Sequence, residues 1–265
     1  MKKNVKENLI NIFYKNRVLL LICYLLSILT SIQDRIIYKN MDISIFDFML
    51  LMYADHYNTM YFILPIVFII IARDIKEIND IEVLRYRNIF SYTSQKILKF
   101  SIFIFVHIFI ISIIRFMIGL GCFSFTSILK PIEFSGVNEV LDIFNTYTEY
   151  FNNGLVALIC TSLYLSLGLV SFYSILINVN HKFSYKLMVG IGITLYIMAY
   201  IGFRYGSGIF TFIFLNNYLL LHQAIFRNNF YIFVLLIIVE LTTILYSFIK
   251  SYCLRKGEEH ESCWN

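Results

Sequence analysis

Long apolar runs separated by short polar stretches divide the chain into six expected membrane spans, at about 18–33, 57–72, 100–121, 154–177, 187–203 and 230–249. Each reaches or approaches the roughly 20 residues that a helix needs to cross a bilayer. The second run carries Pro65 near its middle, a break tolerated in a membrane helix because neighbouring groups re-satisfy the freed carbonyl. Ahead of the first run, residues 1–17 mix Lys2, Lys3, Lys6, Lys15 and Arg17 with Ile10, Ile12 and Phe13, the pattern of a basic amphipathic helix at a membrane interface. The stretch 34–56 reads as a loop with Asp34, Asp42, Asp47 and Asp55, its Ile45, Phe46, Phe48 and Met49 dipping into the interface. Between 204 and 229 the apolar piece 209–221 is too short to cross and is interrupted by Asn216, Asn217, His222 and Arg227. A re-entrant or interfacial hairpin before the last span is the expectation there. Residues 18–250 thus form a single membrane domain, followed by a polar tail at 251–265.

One interior stretch, 73–99, departs from the apolar pattern. Its acids (Asp74, Glu77, Asp80, Glu82) precede its bases (Arg85, Arg87, Lys96, Lys99), the order that a helix dipole favours. Ile75, Ile78, Ile81 and Leu84 recur every third residue along one helical stripe. The spacing predicts a short amphipathic helix over 74–90 lying on the membrane surface; a solvated charged loop would carry the same residues.

Composition agrees with the pattern. Hydrophobic residues make up 59% of the 265 and charged residues 15%, with a mean hydropathy of +0.72, values of an all-α integral membrane protein. Six spans and their connections leave no room for a large soluble domain. The apolar run after the N-terminal lysines continues from 18 to 32 without a small-residue cleavage site, so a retained first span is expected rather than a signal peptide. With the N-terminus inside, sixteen of the 22 lysines and arginines fall on cytoplasmic segments and five on outer ones, Arg115 lying within a span. This positive-inside bias predicts six crossings with both termini cytoplasmic.

The candidate chemistry is sparse. Cys23, Cys122, Cys160, Cys253 and Cys263 are spaced for neither a metal motif nor a disulfide framework, and His260 with Cys263 supplies too few ligands for a metal site. No Gly-x-x-x-x-Gly-Lys-[Ser/Thr] loop occurs, so ATP hydrolysis would belong to another subunit. No cofactor and no nucleic-acid partner are expected. Three ionisable residues fall within spans: His107, Arg115 and Glu240. Charges in hydrocarbon cost several kcal/mol and are expected to face a partner or a wet cavity. An Arg115–Glu240 pair tying the third span to the sixth is one reading; the other has Arg115 snorkelling outward and Glu240 protonated or hydrogen-bonded. Phe103 and His107 share the Phe-x-x-x-His spacing of CAAX-type membrane proteases, but the one Glu-Glu pair, Glu258 with Glu259, lies in the tail. His107 is therefore read as a buried, hydrogen-bonded histidine.

The order of basic N-terminus, two spans, charged helix, four further spans and an interrupted hairpin before the last resembles the permease subunits of type-2 ATP-binding-cassette exporters, including the lantibiotic and bacitracin immunity-like branch. The local likeness is Glu82-Val83-Leu84-Arg85-Tyr86-Arg87-Asn88, followed by Lys96 at the mouth of the third span. The sequence has Ile89 where many relatives carry a basic residue. The resemblance implies that residues 74–90 are the coupling helix seated in a separate ATPase subunit, with Glu77, Glu82, Arg85 and Tyr86 as its contacts. It also implies a second permease subunit, identical or not, in a bacterial cytoplasmic membrane, and a hydrophobic or amphipathic cargo such as a peptide. A membrane sensor or scaffold binding a soluble partner through 73–99, and a membrane enzyme with an unrecognised site, remain as other readings of the same residues.

Overall fold

The computed structural model describes residues 10–78, 83, 86, 88–132, 139–205, 212, 214–226 and 230–262. Its helices are α1 (Arg17–Tyr38), α2 (Ile45–Ala54), α3 (Leu64–Lys76), α4 (Ile89–Gly119), α5 (Glu139–Tyr147), α6 (Gly154–Lys182), α7 (Tyr185–Tyr205), α8 (Asn216–Leu219), α9 (Leu221–Phe226) and α10 (Phe230–Ser262). Residues 10–15 are also helical and meet α1 at a turn at Asn16. No strand occurs among the described residues, only the isolated bridges Ser44–Ser124 and Ile128–Asn153.

Five helical stretches are long and apolar enough to cross a membrane: Arg17–Tyr38, Asn58–Lys76, Ile89–Gly119, Gly154–Lys182 and Tyr231–Cys253. The chain is an all-helical, multi-pass membrane protein. The apolar part of α7, Tyr185–Ile201, is shorter. The central pair is α4 and α6, with α1 and α10 against α4, α10 also against α6, and α3 and α7 on the α6 side. Only the inner faces of α1 and α10 are buried; Leu25, Leu29, Leu235 and Leu245 are among the exposed side chains that an apolar solvent would cover.

Pro65 shows how local sequence and neighbour act together. Residues Asn58–Ile63 form a π-turn that runs into α3, and the Leu64 amide bonds to the Thr59 carbonyl in the i→i+5 manner. The next bond in that series would run from residue 65 to the Met60 carbonyl, and proline has no N–H to donate. The Tyr196 hydroxyl of α7 donates to the Met60 carbonyl instead, at 3.2 Å.

Three sequence expectations are corrected. The helix expected over 18–33 continues to Tyr38, and the helix expected from 100 begins at Ile89, where the Asn88 side chain caps it by accepting from the Ser91 amide at 2.7 Å. In sequence, Asp34 and its neighbours read as loop and 91–99 as lying outside the third span, although a helix leaving the hydrocarbon does not have to end there. The third correction concerns 34–56. It contains α2, a helix rather than an interfacial loop, with Ile45, Phe48, Leu50, Leu51 and Ala54 almost wholly buried. Ser44 and Asp47 close a reciprocal capping box at its start: the Asp47 amide donates to Ser44 Oγ at 3.1 Å and the Ser44 amide to Asp47 Oδ2 at 2.8 Å. Burial pushes the Asp47 carboxyl up, against the pull of these two bonds.

Within the hairpin region, α8 and α9 are short helices broken at Leu220 and packed against α6, α10 and α5. Asn216, Asn217, His222 and Gln223 are all buried. Gly168 of α6 makes this possible, because a Cβ there would run into the Tyr218 carbonyl.

Candidate functional site

The charged stretch 73–99 is bounded by well-defined flanks. Residues 74–76 are the last turn of α3, not the start of a separate helix, and 89–90 already belong to α4. Of the part between, the Tyr86 amide donates to the Val83 carbonyl at 3.0 Å, and 79–82, 84, 85 and 87 lie outside the described residues.

Asp74, near the end of α3, organises the junction. Its Oδ1 accepts from Lys96 Nζ of α4 at 3.0 Å, and its Oδ2 accepts from the Tyr173 hydroxyl of α6 at 2.7 Å. The two charged side chains are 15% and 17% exposed, so the pair is partly withdrawn from water and less screened than a surface bridge. Tyr173 is wholly buried, its ring stacked on Phe100 of α4 at 4.0 Å between centroids. Around this carboxylate, Thr93 Oγ1 meets His181 Nε2 at 2.7 Å, joining the first turns of α4 to the last turn of α6. Lys250 of α10 lies over the Phe90 ring at 4.6 Å, and Phe90 meets Tyr246 at 6.2 Å. The C-terminal ends of α3 and α6, the middle of α10 around Tyr246 and Lys250, and the N-terminal end of α4 thus converge beside the charged stretch.

Two of the expected partner-contact residues are described. Glu77 follows α3 and accepts from Lys15 Nζ at 2.5 Å, with both side chains half exposed; such a pair contributes little energy and is easily exchanged. Tyr86 packs edge-on against Tyr92 at 5.2 Å. Glu82 and Arg85 lie outside the described residues.

Arg115 and Glu240 are not brought together. Arg115, 1% exposed, donates from Nη1 to Asp34 Oδ2 of α1 at 2.6 Å and from Nε to the Phe48 carbonyl of α2 at 2.8 Å. Its guanidinium also stands over the Phe48 ring at 4.1 Å. Asp34 was placed in a loop by sequence, and the extra length of α1 carries it to the arginine. Glu240 is fully buried in α10, and neither carboxylate oxygen has a hydrogen-bond partner. It lies within electrostatic range of the Tyr164 and Tyr218 phenols. His107 is buried as expected, with Nδ1 3.1 Å from the Tyr24 hydroxyl and Nε2 3.8 Å from Cys23 Sγ. No group of three potential metal ligands occurs among the described residues.

Two features had no sequence signal. A row of hydroxyls joins α6 to α10: Ser171 Oγ to Thr243 Oγ1 at 2.6 Å, Ser174 Oγ donating to the Thr243 carbonyl at 2.7 Å, and Ser247 Oγ donating to Asn178 Oδ1 at 3.2 Å. A pocket of about 370 Å³ opens between α4 and α6, walled by Phe105, Val106, Phe109 and Leu163 with Ser112, Ser162 and Ser166 at its side. Serines and threonines are common in apolar helices, so only the pairing of two helices distinguishes a seam from scattered hydroxyls.

These features define a multi-pass helical membrane protein with a charged junction at one end and a buried, unpaired carboxyl within its helices. No protein-family model, no curated protein and no solved structure matches the chain significantly.

Proposed function

We propose that the chain is the permease subunit of an ATP-binding-cassette exporter, working with a second permease subunit and a separate ATPase in a bacterial cytoplasmic membrane. The observation that carries this reading is the Asp74 carboxylate held jointly by Lys96 and Tyr173. A segment that passes force from a soluble subunit into the membrane needs stiff attachment on both flanks. Here the end of α3 and the start of α4 are fixed to each other and to α6 through one carboxylate, so displacing the stretch between them would move three helices together.

In this reading residues 74–90 seat on the ATPase, with Glu77, Glu82, Arg85 and Tyr86 as contacts. Glu77 reaches the partner by giving up its exposed bond to Lys15. The charge bias sets both termini and the junction on the cytoplasmic side; α7 makes the sixth crossing, and α8 with α9 forms the re-entrant piece on the outer side. The cargo is hydrophobic or amphipathic, a peptide among the candidates, and the apolar pocket between α4 and α6 suits such a molecule.

The test is purification of the tagged chain from its native membrane in detergent, with co-purifying subunits identified by mass. The expected result is an ATP-binding-cassette ATPase, lost on combined reversal of Glu82 and Arg85 while membrane insertion is unchanged. Intact complexes lacking any nucleotidase would refute the proposal and favour a sensor or scaffold that uses the same junction.

A further inference from the structure

Glu240 is not explained by the proposed exporter mechanism. Its carboxyl is fully buried with both oxygens unpartnered. An ionised, unpaired carboxylate in an apolar interior is so costly that such a group takes up a neutralising partner or a proton. Among the described residues, the packed elements offer it no cation. On α6 the facing titratable group is Tyr164, whose hydroxyl donates to the Asn217 carbonyl at 2.5 Å; on α8 it is Tyr218, whose hydroxyl donates to the Phe212 carbonyl at 2.9 Å. His222 of α9 has its ring toward Tyr147 of α5. On α4, His107 is engaged by Tyr24 and Cys23, Arg115 by Asp34 and Phe48, and Lys96 by Asp74. Lys99, three residues beyond Lys96, belongs to that same end of α4. On α10 itself Lys250 lies over Phe90. For a metal cation, Glu240 is not joined by a cluster of three histidine, cysteine or carboxylate ligands among the described residues.

The surroundings of Glu240 are nevertheless polar in one direction. Thr243, Ser247 and Ser251 follow it at intervals of three, four and four residues on α10, and Ser247 and Ser251 are buried. They share one helical face with Glu240. Opposite them on α6 stand Ser171, Ser174 and Asn178, bonded across the seam at Thr243 and Ser247. The two helices run in the same direction, and the row covers about 16 Å from Glu240 to Ser251 at 1.5 Å per residue. It ends where Tyr246 and Lys250 meet Phe90 at the charged junction. Hydroxyls both donate and accept, so a row of them can relay a proton in a way that alkyl groups cannot.

We propose that Glu240 is a proton-binding site inside the membrane domain, loaded and unloaded along the α6–α10 seam from the end that carries the charged stretch. The step is the addition of one proton to the Glu240 carboxylate to give the neutral acid, and its return by the same row. The site does not depend on the exporter reading.

Infrared spectroscopy of the full-length protein in lipid nanodiscs tests it. The expected result is a protonated-carboxyl band at neutral pH that shifts when glutamate is carboxyl-labelled with carbon-13 and disappears in Glu240→Gln. In deuterated buffer the band should exchange several-fold more slowly in Thr243→Val, which removes a seam hydroxyl at nearly constant shape, than in wild type. Should Glu240→Gln fail to fold, the carbon-13 shift of the wild-type band and its slower exchange in Thr243→Val decide. Absence of any labelled protonated-carboxyl band at neutral pH would overturn the proposal. So would loss of the band on adding sodium or potassium chloride, which would make the occupant a metal cation, or unchanged exchange in Thr243→Val, which would remove the seam as the route.

Discussion

Arg115 reaches Asp34 across the interface of α4 and α1 at 2.6 Å, and the same guanidinium holds the Phe48 carbonyl of α2. One buried cation thereby ties α4 to two helices whose contact residues lie 67 and 81 positions earlier in the chain. Removing one member of a buried pair leaves the other charge stranded, which costs about 3–5 kcal/mol. Arg115→Met and Asp34→Leu are each expected to lower stability strongly, and the double variant to lose less than their sum by at least about 1 kcal/mol. A parallel cycle for Arg115 and Glu240 should be additive. Unfolding in mild detergent measures both cycles, and additivity between Arg115 and Asp34 would refute the pairing.

Gly168 should not tolerate a larger residue. A Cβ at this position meets the Tyr218 backbone carbonyl, and backbone yields less readily than a flexible side chain. Gly168→Ala is expected to cost roughly 1–3 kcal/mol, as overpacking in a tight contact does. Gly190 is the contrast: a Cβ there has nothing within 4 Å. Gly190→Ala in the same helical fold should be neutral or stabilising by up to about 1 kcal/mol. Equal effects at the two sites, read by thermal denaturation, would argue against α8 lying on α6.

Asp55 gives a pH dependence with a definite sign. Burial, with the neighbouring Asp34 carboxylate adding to it, raises its carboxyl from 3.8 to about 6 despite bonds from the Tyr57 amide and the Asn58 side chain and the nearby Arg115. The folded chain then holds this proton more tightly than the unfolded chain. Its contribution is therefore full at pH values below about 4 and is lost as pH rises through 6. Asp55→Asn should flatten that part of a stability–pH curve measured in detergent; an unchanged slope between pH 4 and 6 would contradict the assignment.

The junction predicts a separation of coupling from folding. Tyr173→Phe removes the hydroxyl that Asp74 accepts but keeps the stack on Phe100, at a cost of about 1 kcal/mol. Under the proposed function this variant still inserts and binds the ATPase, while cargo no longer stimulates nucleotide hydrolysis. Stimulation at the wild-type level would show that the Asp74 link carries no force.

Orientation can be read from native cysteines. Cys122 and Cys253 are exposed, near the far end of α4 and in the junction half of α10 respectively, whereas Cys23 is buried. A membrane-impermeant maleimide applied to intact cells should label Cys122, whose loss in Cys122→Ser removes the signal. Labelling that persists in Cys122→Ser and vanishes only when Cys253 and Cys263 are both replaced by serine would reverse the proposed topology.

Sequence alone determined the membrane class, the helical expectation for the main apolar runs, the interruption before the last helix and the burial of His107. These follow from the cost of an unsatisfied backbone in hydrocarbon, which is local and reads directly from hydropathy. The caps at Ser44, Asp47 and Asn88 went unread in the sequence, although a cap needs only neighbours a few residues away. Tertiary structure decided which polar side chains meet. Asp34 rather than Glu240 answers Arg115, Tyr173 completes Asp74, and α2 is buried rather than interfacial. Each depends on where a helix leaves the apolar layer and how it rotates about its neighbour, and neither quantity is set by the residues of one helix alone. The α6–α10 seam follows the same rule: two patterns of isolated hydroxyls become one seam, bonded at Thr243 and Ser247, only when both helices present them to each other.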